Sequence, residues 1–171
     1  MSFIERLAPL RSQPGTRLTT GLDDATLTAL SANHPQLIAA VDAAAEEFAR
    51  VQADLGPLLA QDEQAQIDAM QDGFVNFYAD DAVTPYVALA ARGPWVVTLK
   101  GAVLYDAGGY GMLGFGHAPD AVLEAMARPQ VMANIMTPSL SQLRFDRALR
   151  KEIGHLRGGC PYARFLCLNS G

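Results

Sequence analysis

The chain has 171 residues, half of them hydrophobic and 18% charged, which fits a globular domain and argues against disorder. Net charge is −5 and the pI is near 5.0, with no Lys/Arg cluster, so nucleic acid and an anionic membrane are not expected partners. No apolar run approaches the length of a membrane span, and the opening MSFIERLAPLRSQPG has no signal-peptide core.

The two cysteines, Cys160 and Cys167, are too few for a disulfide framework and do not form a CxxC pair. Reduced thiols and a cytoplasmic location are the expectation.

In chain order, the first ninety residues read as helical and show no obvious chemistry. Asp23 and Asp24 can cap a short helix through about Ala32. A stronger helix follows Pro35, with Leu37, Ile38, Val41, Ala45, Phe48, Val51 and Leu55 at helical spacing. Gly56-Pro57 is expected to end it. A third helix is expected to carry Ile67, Met70, Phe74, Phe77 and Tyr78, with Gly73 as a local weakness. These stripes read as core packing.

At Thr84-Pro85 the texture changes. Trp95-Val96-Val97-Thr98-Leu99 is β-rich, Lys100-Gly101 suits a tight turn, and Val103-Leu104-Tyr105-Asp106 reads as the returning strand of a hairpin. The glycine-rich run AGGYGMLGFGH follows, then a helix opened by Pro119 and closed by Arg128-Pro129, with Val122 and Met126 on one face. Thr137 as N-cap and Pro138 at the first position are expected to start another helix. Phe145, Leu149, Ile153 and Leu156 form its apolar side, and Gly158-Gly159 ends it. Residues 163–168 read as a final buried strand. A lone strand with no later strand beside it would leave its flanks unpaired, so the chain reads as the first part of a longer one.

Residues 109–114 spell GxGxxG, which after a strand suggests dinucleotide binding. That chemistry needs the glycines to pass directly into a helix N-terminus. Here Phe115, Gly116, His117 and Ala118 intervene, and no acidic residue closes a second strand at the required distance. Plain turn flexibility accounts for the glycines but not for the interleaved Tyr110, Met112, Phe115 and His117, which suit the rim of a small-molecule pocket.

Residues 86–171 resemble the N-terminal part of class III pyridoxal-phosphate aminotransferases, the ornithine, acetylornithine and 4-aminobutyrate aminotransferase group. Three pieces match in the family's order: the approach TPYVALAARGPWVVTLKGAVLYDAGG, the glycine loop ending GFGHAPDAVLEAM, and the strand-turn FLCLNSG. The resemblance covers about half the chain. It implies an α/β chain, the N-terminal fragment of a transferase of fold type I. Residues 1–85 would form a helical extension, and residues 86–171 the start of the aminotransferase fold.

What the resemblance implies for function is specific. Ser170 and Gly171, with Asn169 just before them, would begin the turn that holds the phosphate of pyridoxal 5'-phosphate, since backbone N–H groups at a helix N-terminus favour an anion. Tyr110 and Met112 resemble positions that line the substrate channel. The complete enzyme would pass an amino group from an amine or ω-amino acid to a 2-oxo acid and act as a homodimer. The chemistry needs a Schiff-base lysine. Lys100 falls in a hairpin turn and Lys151 on a charged helix face, so that lysine is expected beyond residue 171.

His117 reads as a brace for the following helix, Cys167 as a small core residue and Cys160 as a loop thiol. His34 and His155 have no evident partners. A metal site from Cys160, Cys167 and His155 would lack a fourth ligand. The alternative for the chain is a non-catalytic helical interaction module, or a truncated remnant without the lysine.

Overall fold

The computed structural model describes residues 2–75, 86–107, 114–129, 131 and 136–167. The chain divides into two compact units, Met1–Met126 and Ala127–Gly171. The boundary drawn after residue 85 falls inside the first of them.

The first unit opens with a 3-10 turn, Ile4–Leu7, running into α1 (Ala8–Arg11), then α2 (Asp24–Ser31), α3 (Pro35–Leu59) and α4 (Glu63–Gln71). Asp23 is the N-cap of α2: its backbone is extended, and its carboxylate accepts the Thr26 N–H at 2.8 Å. Pro35 sits at the start of α3, where its missing N–H costs no helical bond. Leu37, Ala40, Val41, Ala44 and Phe48 make one buried stripe along α3.

Gly56-Pro57 interrupts α3 with a kink, as expected, although a further helical turn follows. The helical backbone breaks one residue earlier, at Leu55 (φ −129°, ψ 29°), and a further turn continues to Leu59. Proline cannot donate to the preceding turn and disfavours helical geometry just before it, yet its ring suits the first turn of a resumed helix. Leu59, 3% exposed, anchors that turn in the core, whereas Leu55 faces solvent.

The apolar stripe expected on α4 is also corrected. Met70 and Phe74 are exposed, and the buried residues are Glu63, Gln66 and Ile67. Spaced i, i+3, i+4, these three share the inward face. Asp72 then caps the C-terminus just before Gly73. Phe77 and Tyr78 lie outside the described residues.

Three strands follow, β1 (Ala88–Arg92), β2 (Trp95–Thr98) and β3 (Val103–Tyr105), in the order β1-β2-β3 and antiparallel throughout. The expected hairpin pairs Trp95 with Tyr105 and Val97 with Val103. Its turn carries Gly101 at φ +77°, with Gly101 N–H donating to Thr98 O. β1 was not expected: Ala-Leu-Ala-Ala-Arg has little strand propensity. It forms because β2 supplies its backbone partners, while Leu89 and Ala90 pack on the core. Trp95, Val97, Leu99 and Val103 join the α3 stripe, Leu7, Leu10 and Leu27 in one hydrophobic core. The helical N-terminal part and the hairpin therefore share that core.

The helix after Pro119 is α5 (Asp120–Ala127). It buries no residue, and Val122, Leu123 and Met126 are exposed. In the second unit α6 spans Leu140–Gly154. Its N-cap is Ser139, not Thr137: Ser139 Oγ accepts the Gln142 N–H and the Gln142 side chain returns to the Ser139 N–H. This reciprocal capping box satisfies two helix-end donors, an arrangement Thr137 is two residues too early to make. α6 ends at Gly154, before Gly158-Gly159; a Cβ at Gly154 would stand 2.6 Å from Cys160 N, so the chain folds back against the helix end there. Phe145 and Leu156 are exposed, contrary to their expected place on a buried side.

The final strand expected at 163–168 is not formed over the described residues 163–167. Arg150 occupies the first carbonyl of that segment, donating to Ala163 O at 2.9 Å, and also to Tyr162 O just before it at 3.0 Å. Leu166 is exposed, and so is Cys167, which is therefore not a core residue.

Candidate functional site

The four residues singled out from sequence, Tyr110, Met112, Ser170 and Gly171, lie outside the described residues, as does Asn169. What the structure does describe is the frame on either side of the glycine run. Gly93 and His117 exchange backbone hydrogen bonds, 2.9 Å from Gly93 N–H and 2.7 Å from His117 N–H. Gly116, at φ +75°, allows this approach, because a Cβ there would lie 2.7 Å from Gly93 Cα. The His117 ring completes the closure, with Nε2 3.1 Å from Asp106 Oδ2. His117 thus braces the end of the glycine run against the hairpin rather than capping α5. The next residue, Ala118, adopts φ +47°, an uncommon conformation for a side-chain-bearing residue. Residues 114–119 are not helical and α5 begins only at Asp120, so Gly114 does not open a helix as dinucleotide binding requires.

A second polar centre was not expected from sequence. Lys100 is 1% exposed. Its ammonium donates to Leu59 O at 3.1 Å, Gln61 O at 2.6 Å and Pro14 O. Beside it Glu63, also 1% exposed, accepts the backbone N–H groups of Leu18 and Thr19 at 2.6 and 2.9 Å. Gln66 donates its amide to Leu58 O at 2.9 Å. Glu63 Oε1 and Gln66 Oε1 are buried without a hydrogen-bond partner. Burial lowers the Lys100 pKa below the usual lysine value, Arg17 pushes the same way, and Glu63 and Asp62 oppose them. With three carbonyls as partners this ammonium is a structural tie and not an accessible nucleophile. Lys100 and Glu63 stand far apart in sequence, and no local pattern announces their meeting.

Two of the histidines have partners the sequence did not disclose. His34 meets Trp95 edge to face at 5.5 Å, and Trp95 meets Tyr105 the same way at 5.1 Å. His155 Nδ1 lies 2.6 Å from Glu152 O.

Two concavities among the described residues can be outlined by their lining. One, about 510 Å³, runs beside β3 and is lined by Leu22, Tyr86, Tyr105 and Asp106 among others. The other, about 190 Å³, lies in the second unit between Phe145, Leu149, Phe165 and Cys167. There Arg150 makes a two-bond pair with Asp146, at 3.0 and 2.9 Å, and its guanidinium stands over the Phe165 ring. The Asp146 carboxylate raises the Arg150 pKa further above its already high value. Among the described residues no group of three or more His, Cys, Asp or Glu side chains could hold a metal ion, and no helix is long and apolar enough to cross a membrane. No protein-family model, curated protein or solved structure matches the chain.

Proposed function

We propose that the chain is the N-terminal segment of a pyridoxal-phosphate-dependent class III aminotransferase. The complete enzyme would move an amino group from an amine or ω-amino acid to a 2-oxo acid, as a homodimer. The observation that carries this reading is the order of the matching pieces: a hairpin, a glycine run ending Gly-Phe-Gly-His-Ala-Pro, a helix, and a terminal Asn-Ser-Gly. Local geometry is compatible with it. The hairpin is formed, His117 returns the glycine run to Gly93, and a helix follows Pro119.

The described residues do not by themselves fit the cofactor. Lys100 is buried among carbonyls, and Lys151 is exposed on α6. Neither is placed to hold pyridoxal phosphate as a Schiff base, so no chemical step is assigned to a residue of this chain. On this reading the lysine belongs to residues following 171. The same two lysines favour the second reading, a non-catalytic helical module or remnant.

The test is an absorption spectrum of the natural full-length polypeptide after incubation with pyridoxal phosphate and dialysis. A retained visible chromophore that changes on adding an amine donor supports the aminotransferase. A colourless protein supports the module.

A further inference from the structure

We infer that the outward face of α6 docks a short acidic, amphipathic helix of a partner protein. The second unit, Ala127–Gly171, carries seven Lys/Arg against two Asp/Glu, although the whole chain is at −5. Arg144, Arg147 and Lys151 are not adjacent in sequence, but at i, i+3, i+7 they share one face of α6, and all three are exposed. None of them forms an ion pair among the described residues. The two acids of α6 cannot supply one along the helix, since neither Asp146 nor Glu152 stands three or four positions from any of the three. Asp146 is already held by Arg150.

Arg144 with Arg147, and Arg147 with Lys151, are like charges at the spacings that repel, so the bare helix carries a cost that an anionic partner removes. Leu140 and Leu143 stand four positions before Arg144 and Arg147 and are 71% and 45% exposed, so apolar surface adjoins the cations on the same side. Leu140 to Lys151 spans about 16 Å, or about three helical turns. A nucleic-acid strand has no apolar surface for the leucines, and an anionic bilayer, like any extended polyanion, meets the repulsion of a chain at −5. A short helix with Asp or Glu at i, i+4 beside apolar residues answers both parts of the face. Its carboxylates meet the three cations, and its apolar side chains cover Leu140 and Leu143.

The face uses no residue of the proposed cofactor turn, so its test is independent of the aminotransferase reading. The test is fluorescence anisotropy of a labelled synthetic helix, with Glu at every fourth position and Leu just before each Glu, titrated with the 171-residue chain at neutral pH. Saturable binding that weakens as salt is added is expected. The same helix with Gln for Glu should bind at least about tenfold more weakly, and with Lys for Glu not detectably. Arg147→Gln, at the centre of the face, should weaken binding about fivefold, and Leu143→Ser about threefold. Arg157→Gln, at an exposed position beyond the end of α6, should leave binding within about twofold, which separates this face from net charge. All three substitutions are at exposed positions, where the fold tolerates them. No saturable binding, equal binding of the Glu and Gln helices, equal losses at Arg147 and Arg157, or tighter binding of a labelled oligothymidylate or of phosphatidylserine vesicles would overturn the proposal.

Discussion

The Lys100 ammonium donates to the Gln61 carbonyl at 2.6 Å, across 39 positions of sequence. With Pro14 O and Leu59 O as its other partners, it ties the N-terminal arm and the α3–α4 link to the hairpin turn. Lys100→Met would leave three carbonyls without their donor. A buried acceptor stripped of its partner costs on the order of 1–3 kcal/mol, so a net loss of about 3 kcal/mol is expected after allowing for relaxation. Lys151→Met, on an exposed face, should stay within about 0.5 kcal/mol. Urea denaturation of the two variants checks this; equal midpoints would show that the tie contributes nothing.

Acid should weaken the first unit through two carboxylates, Asp23, which caps α2, and Asp62, which accepts the Thr16 N–H. The pKa of Asp23 is lowered by the Thr26 N–H and hydroxyl, and that of Asp62 by Thr16. A carboxylate whose folded pKa lies below its unfolded value of 3.8 binds fewer protons folded than unfolded in that window. Its stabilisation is complete above 3.8 and is lost as pH falls through the lower folded values. An Asp23→Asn/Asp62→Asn double variant should therefore be less stable at neutral pH and show a flatter acid limb. Thermal melts at stepped pH measure both, and an unchanged acid limb would assign acid sensitivity to other groups.

Ser139 and Thr137 make opposite predictions about where α6 begins. Ser139→Ala removes one half of a capping box and should cost about 1 kcal/mol. Thr137→Ala should be nearly neutral. Melting curves followed by circular dichroism compare the two, and a larger effect at Thr137 would restore the start expected from sequence.

Closure of the glycine run depends on Gly116. An alanine there would have to adopt φ near +75° and push its Cβ against Gly93. Gly116→Ala should cost about 1–2 kcal/mol locally and speed hydrogen exchange at the Gly93 and His117 amides. Unchanged exchange at both would mean that the bridge does not depend on glycine.

Much of the fold was legible because it is written locally. Asp23 before a helix, the Leu37–Val41–Phe48 stripe and Lys100-Gly101 between two β-rich runs each act over a few residues. The misses come from distance. β1 is alanine-rich and becomes a strand only because β2 lies beside it. Glu63 and Gln66 are polar residues with no local signal of burial, yet the loop amides of Leu18 and Thr19 and the carbonyls of the α3 end give them buried partners. The expected strand after residue 162 looked apolar enough, but Arg150 claims its first carbonyl, Ala163 O, and Tyr162 O just before it. The candidate cofactor and channel residues rest on motif order alone, because Tyr110, Met112, Ser170 and Gly171 lie outside the described residues.

The most direct measurement of the central claim is reductive trapping. The natural full-length protein is treated with pyridoxal phosphate and borohydride, digested, and its peptides are weighed for the added pyridoxyl group. The aminotransferase reading predicts one labelled lysine, located after residue 171, with Lys100 and Lys151 unmodified. A label on Lys100 or Lys151, or no stoichiometric label anywhere, would contradict it.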